Sequence, residues 1–244
     1  MKWIDLSTFD VAAAQAFYTK VFGWEWFDDG QGYLISYGHG WLTDRPVAGL
    51  YEMPVFFQNI NMPSFWMSYV QVDDIAQTVA LATQLGGRIE MEDTTFIEGK
   101  EVKVALIRDP MGAGFTCFQG SIPQSIKSHW HGSWLYSDLY VSEGLPETQF
   151  YQQLFGWQFT KEVDGSESIY DAHGELVAQM QVLPNSVKGD KEYWSVSFAV
   201  TDIKKAIKAI VDAGGQCGEI FENESGRHSL AYDNQGAAFF VSEQ

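Results

Sequence analysis

Cysteine is nearly missing: 244 residues hold two, Cys117 and Cys217, in neither a metal-ligand spacing nor a disulfide framework. A disulfide scaffold and a thiolate zinc site are excluded, and a reducing, cytoplasmic setting is expected. Positive charge is scarce too, with 15 Lys and Arg against 32 Asp and Glu and a formal net charge of -17. Such a surface repels phosphate backbones and anionic lipid heads, so neither nucleic acid nor a membrane is an expected partner. Long apolar runs are also lacking. No stretch approaches the roughly 20 apolar residues of a membrane span, and Asp5 and Asp10 interrupt the start, where a signal peptide needs an apolar run. What remains is 45% hydrophobic, with nine Trp and eleven Tyr, enough for one large domain or two ordinary ones.

The chain repeats itself. FYTKVFGWEW at 17–26 returns as FYQQLFGWQF at 150–159, and VAGLYEMP at 47–54 as VAQMQVLP at 177–184. VDDI at 72–75 matches VTDI at 200–203, LGG at 85–87 matches AGG at 213–215, and DPMGAGF at 109–115 matches DNQGAAF at 233–239. The order is kept while the offset shrinks, which is the mark of duplication with shortened loops. The Ser-, Gly- and Pro-rich stretch from Gly120 to Ser133 reads as a linker, giving expected domains at 1–122 and 129–244.

Each copy reads as strand, helix and three strands, twice over. Apolar spacing predicts helices over about 10–22, 74–85, 145–155 and 203–213, with Asp10 as one N-cap and glycines after the first two. Strands are expected near 32–37, 46–52, 66–72, 88–91, 101–108 and 113–119 in the first copy. Four βαβββ modules in two pairs result, an α+β fold. Alternation in the opening strands puts Ile4 and Leu6, Val70 and Val72, Leu135, Leu139 and Val141, and Val196, Phe198 and Val200 under the helices. Their other faces carry Trp3, Asp5 and Ser7; Met67, Tyr69 and Gln71; Tyr136, Asp138 and Tyr140; and Ser195, Ser197 and Ala199. That aromatic and polar mixture suits a ligand pocket.

The FY and FGW motifs after each first helix, V-D-D-I, L-G-G and D-P-x-G-A, in this order and repeated, resemble the vicinal oxygen chelate superfamily of glyoxalases, bleomycin-resistance proteins and extradiol dioxygenases. The likeness covers nearly the whole chain. It implies curved mixed sheets that enclose a cavity between paired modules, and metal ligands at Trp3, about Gly49, Met67 and Thr116 in one copy and at Tyr136, about Gln179, Ser195 and Phe240 in the other. None of these eight offers imidazole, carboxylate or thiolate. The resemblance therefore implies a member without the family metal, and no cofactor is expected.

Asp5 and Asp138 are repeat equivalents on the predicted cavity faces. Each reads either as a general base or ligand anchor, or as a buried carboxylate held by Tyr, Trp or backbone donors. Trp3, Ser7, Met67, Tyr69, Thr116, Tyr136, Tyr140, Gln179, Ser195 and Phe240 are the expected ligand walls. His129 and His131 read as a metal-donating pair or as surface linker residues, His39 and His173 as turn residues, and His228 as a hairpin residue; no Ser or Cys is arranged with them as nucleophile and base. The function expected is binding, or metal-free transformation, of a small aromatic or polyketide-like molecule. A metal-dependent lyase or dioxygenase with other ligands and a non-enzymatic scaffold stand as alternatives, and a homodimer stays open.

Overall fold

A computed structural model describes residues 1–244 except 29, 31, 41–44, 126–127 and 224. The first copy runs β1 (Trp3–Thr8), α1 (Val11–Phe22), β2 (Glu25–Asp28), β3 (Tyr33–Tyr37), β4 (Pro46–Glu52), α2 (Val55–Asn59), β5 (Phe65–Gln71), α3 (Ile75–Gln84), β6 (Arg88–Ile97), β7 (Lys100–Arg108) and β8 (Gly114–Gly120). The second continues with β9 (Trp134–Val141), α4 (Gly144–Phe155), β10 (Gln158–Lys161), β11 (Glu167–Tyr170), β12 (Leu176–Val182), α5 (Asn185–Lys188), β13 (Tyr193–Val200), α6 (Ile203–Asp212), β14 (Gln216–Cys217), β15 (Phe221–Asn223), β16 (Gly226–Tyr232) and β17 (Ala238–Glu243). The fold is the expected α+β duplication in two mixed sheets. Their strand orders are β2-β3-β4-β1-β5-β8-β7-β6 and β10-β11-β12-β9-β13-β17-β16-β14, with β15 on β16.

Local chemistry sets the helix ends. Asp10, Asp74 and Asp202 cap α1, α3 and α6 by accepting from backbone N–H groups three residues on, at 2.9–3.0 Å. Gly23 and Gly156 close α1 and α4 in the left-handed conformation, at φ 72° and 69°. At the start of α4 Glu143 makes no such cap.

Three features depart from the sequence reading. The strand expected at 88–91 continues to Ile97 and turns straight back through Glu98 and Gly99, both at positive φ (52° and 73°), the two-residue hairpin geometry. The short helices α2 and α5 lay below the length at which apolar periodicity can be read. The stretch expected as a linker is tied down at Gly132. Trp24 donates its indole N–H to the Gly132 carbonyl at 2.9 Å, and Gly132 adopts φ 83° in contact with Phe22.

Two compact units divide the chain, and each takes modules from both copies. The first comprises Met1–Lys2, Ser68–Ile122 and Tyr136–Ser195; the second comprises Trp3–Met67, Pro123–Leu135 and Val196–Gln244. Inside the first, Val70, Ile107, Phe115, Leu139, Phe150 and Met180 share one buried core. Inside the second, Phe22 of α1 packs on Phe198 and Phe239 with ring centroids 5.1 and 6.0 Å apart.

Candidate functional site

Strand register places Asp5, Gly49, Tyr69, Thr116, Asp138, Gln179 and Phe240 on one recurring rung, and leaves Trp3, Met67, Tyr136 and Ser195 two residues off it. Parallel pairing sets Asp5 beside Gly49, Tyr69 beside Thr116, Asp138 beside Gln179 and Ser197 beside Phe240. Met67 and Ser195 lie two residues earlier on their strands, and both are buried.

The Asp5 rung is closed. Trp3 donates its indole N–H to Asp5 Oδ1 at 2.5 Å and to the Tyr33 hydroxyl at 2.8 Å, and that hydroxyl donates to Asp5 Oδ1 at 2.7 Å. Trp3, Asp5 and Ser7 are at most 1% exposed. A Cβ at position 49 would stand 2.0 Å from the Tyr33 hydroxyl and 2.1 Å from Asp5 Oδ1, so the network fits only against glycine. Burial, reinforced by the charge of Asp5, holds the Tyr33 phenol well above its ordinary pKa. Tyr33 is the partner that sequence reasoning missed.

The Asp138 rung is more open. Tyr136, Tyr140 and Gln179 are partly exposed around a buried Asp138. Asp138 Oδ1 accepts the Gln179 backbone N–H at 3.3 Å, and Ser195 Oγ donates to the Asp138 carbonyl at 3.3 Å. Tyr140 stacks on Tyr193, also missed from sequence, at 5.2 Å and 12° between planes. Burial first, then the charge of Asp138, raises the Tyr140 phenol and keeps it a donor at neutral pH.

The repeated motifs themselves have a structural role. In the first unit Asp109 Oδ1 accepts from the N–H groups of Met111, Gly112 and Ala113 at 2.8–3.0 Å, while its other oxygen takes the Tyr151 hydroxyl at 3.0 Å and Trp194 donates to Tyr151 at 2.9 Å. In the second unit Asp233, Tyr18 and Trp66 repeat this, with Tyr18 donating to Asp233 at 3.1 Å and Trp66 to Tyr18 at 3.0 Å. The FY and D-x-x-G-A motifs therefore meet across copies. Burial raises both carboxyl groups despite these donors.

The histidines separate. His129 Nδ1 meets Gln244 Oε1 at 2.6 Å and His131 Nε2 meets the Val21 carbonyl at 3.1 Å, so the pair does not share a ligand. His39 and His173 occupy turns as expected. His228 lies in a hairpin and has serine neighbours: its Nδ1 lies 2.8 Å from Ser242 Oγ, and its Nε2 lies 2.9 Å from Asn223 Oδ1 and 3.1 Å from Ser225 Oγ. An amide oxygen only accepts, which assigns the proton to Nε2 and leaves Nδ1 to accept from Ser242. Burial lowers the His228 pKa, and with both nitrogens engaged the ring ties its hairpin together. The β16–β17 pairing that joins His228 to Ser242 was invisible in sequence.

The rungs hold few donors for a divalent ion: Gly49, Tyr69, Thr116, Gln179, Ser197 and Phe240 offer no carboxylate, imidazole or thiolate, Asp5 and Asp138 bring one carboxylate each to separate rungs, and among the described residues no three His, Cys, Asp or Glu side chains gather as a metal site. No helix among the described residues is long and apolar enough to cross a membrane.

Comparison with known proteins bears on the family and the fold. Residues 1–116 match the family model of the Glyoxalase/Bleomycin resistance protein/Dioxygenase superfamily. A Mycobacterium tuberculosis protein named as a glyoxylase, CFP32, is 28% identical over 98% of this chain and 92% of its own length. The anthracycline biosynthesis protein DnrV of Streptomyces peucetius is 27% identical over 99% of this chain and 92% of its own. Among solved structures, the Mn(II)-bound glyoxalase from Novosphingobium aromaticivorans superimposes with a TM-score of 0.62 at 11% identity, covering 99% of this chain and 81% of that one. Homoprotocatechuate 2,3-dioxygenase from B. fuscum gives 0.59 at 12% identity over 100% and 70%. At such identity the two structures speak for the fold alone.

Proposed function

We propose that the chain, whose residues 1–116 match the Glyoxalase/Bleomycin resistance protein/Dioxygenase superfamily and whose second copy repeats their fold, binds a small aromatic molecule, without the family metal, on the strand face carrying Tyr136, Asp138, Tyr140 and Gln179. One contrast carries this reading: the Asp5 rung is sealed by Trp3 and Tyr33, whereas the Asp138 rung keeps partly exposed tyrosines beside a carboxylate. Tyr140 and Tyr193 supply flat apolar area for a planar ring. Asp138 accepts from a ligand hydroxyl, and the protonated phenols donate to ligand carbonyls. The same carboxylate is placed to take a proton from an acidic ligand group, the one acid–base step this face offers. Relatives named for anthracycline biosynthesis favour a polycyclic aromatic ligand.

Fluorescence titration with 1,4-dihydroxyanthraquinone tests the reading. Asp138→Asn should weaken binding by about tenfold or more, the size of one lost charged hydrogen bond, with the unfolding midpoint little changed. Asp5→Asn should leave affinity alone and lower stability by about 1–3 kcal/mol, because its network is structural. Equal affinity in the parent and Asp138→Asn rejects the site. The CFP32 name keeps a metal-dependent lyase in view as the rival. Elemental analysis of protein purified without chelator decides between them: one Zn, Ni, Fe or Mn per chain would favour the rival, and the donor set here leads us to expect none.

A further inference from the structure

Glu147 breaks the rule that buried carboxylates are paired. It sits in the first full turn of α4 with 0% exposure, and neither carboxyl oxygen has a hydrogen-bond partner. Its repeat equivalent in α1 is Ala14, an equally buried methyl group. Duplication has thus left an acid where the sister module packs an alanine, and an ionised carboxylate there is strongly disfavoured.

The surroundings sharpen this. Glu147 lies within charge range of Asp109 in the β7–β8 turn, Glu192 in the segment before β13, Glu143 at the N-cap of α4 and Tyr151 one turn further along α4. Glu192 also ties two elements together. It accepts from the Ser142 backbone N–H at 2.9 Å and from the Ser142 hydroxyl at the entry to α4, and it pairs with Lys188 of α5 at 2.8 Å, with both side chains almost dry. One buried ammonium therefore stands among several carboxylates, and Glu192 already holds it.

We propose that Glu147 is a proton-operated latch: with its proton on, the start of α4 stays docked against Asp109 and the α5–β13 segment, and when the proton leaves, that turn and that segment release together. Burial, with the charges of Asp109, Glu192 and Glu143 adding, pushes the Glu147 carboxyl up to about 8. The sign follows from linkage. A folded pKa above the unfolded one gives stability that is complete below the unfolded value, about 4.3, and that is lost as pH rises through the folded one. The latch is closed at neutral and acid pH and opens in mildly alkaline solution. Its moving segment runs into Tyr193, so release also loosens the Tyr140–Tyr193 pair; that consequence rests on the function proposed above, whereas the latch itself does not.

Amide hydrogen exchange of the full chain, without ligand, over pH 5–9 tests it. After correction for the intrinsic pH dependence of exchange, protection of residues 142–150 and 188–195 should fall about tenfold per pH unit from roughly pH 5 to 8 and then level off. Glu147→Gln should lose most of that slope, and so should Glu147→Ala, which restores the residue of the first copy and serves if the amide variant folds poorly. A 13C carboxyl titration of the parent should place Glu147 near 8. Slopes shared by the parent and both variants, or a Glu147 midpoint near 4, overturn the proposal whatever the ligand experiments give.

Discussion

Asp5 and Asp138 are repeat equivalents in different surroundings, set by what stands across the strand. Beside Asp5 is Gly49, whose missing side chain admits the Tyr33 hydroxyl and the Trp3 indole to the same carboxylate oxygen. Beside Asp138 is Gln179, whose backbone N–H donates to Asp138 Oδ1 at 3.3 Å. Gly49→Ala is therefore expected to destabilise the protein by roughly 1–3 kcal/mol through overpacking. A chemical denaturation midpoint equal to the parent's would show that the network yields without cost. The sequence made the Asp pair legible because alternation fixes the face of a strand residue. It could not show the third partner, since Tyr33 is 28 residues away and meets Asp5 only through the β3–β4–β1 pairing.

Elements were readable where their period was long enough to repeat. α1, α3 and α6 lie within a residue or two of the stretches marked by apolar spacing, while α2 and α5, with five and four residues, offer barely one turn of pattern. The repeated FY and D-x-x-G-A letters were visible, but their purpose was not, because Tyr151 bonds to Asp109 across 42 residues. That bond makes its own prediction. Tyr151→Phe strands a buried Trp194 N–H and a buried Asp109 oxygen, which should cost about 1–3 kcal/mol, and Leu139→Ala in the same core should cost about 2–5 kcal/mol by leaving a cavity. Both should lower the unfolding midpoint while leaving anthraquinone affinity in the folded protein unchanged. A Tyr151→Phe protein that loses affinity without losing stability would move the tyrosine from the scaffold to the site.

At the scale of the whole chain, repeat and compact unit do not coincide. The duplication divides the sequence near residue 122, yet α1 of the first copy buries Phe17, Tyr18 and Phe22 against Phe198 and Phe239 of the second, and α4 of the second buries Phe150 and Tyr151 against Phe115 of the first. Asp233 holds Tyr18 and Asp109 holds Tyr151 in the same crossed sense. A cut in the 120–133 stretch would therefore leave each half with an apolar helix face and a buried turn carboxylate deprived of partners, and exposed aromatic area of that kind favours aggregation or a loosely packed state. Fragments 1–122 and 123–244 should each show broad thermal transitions and poorly dispersed amide spectra alone, and should recover one cooperative transition on mixing, because the partners lost by one are supplied by the other. The stretch itself favours the second fragment, since Trp24 bonds to Gly132 and His131 to Val21 only when both are present. A sharp, reversible transition in either fragment alone would mean that the copies, and not the crossed units, are the folding domains.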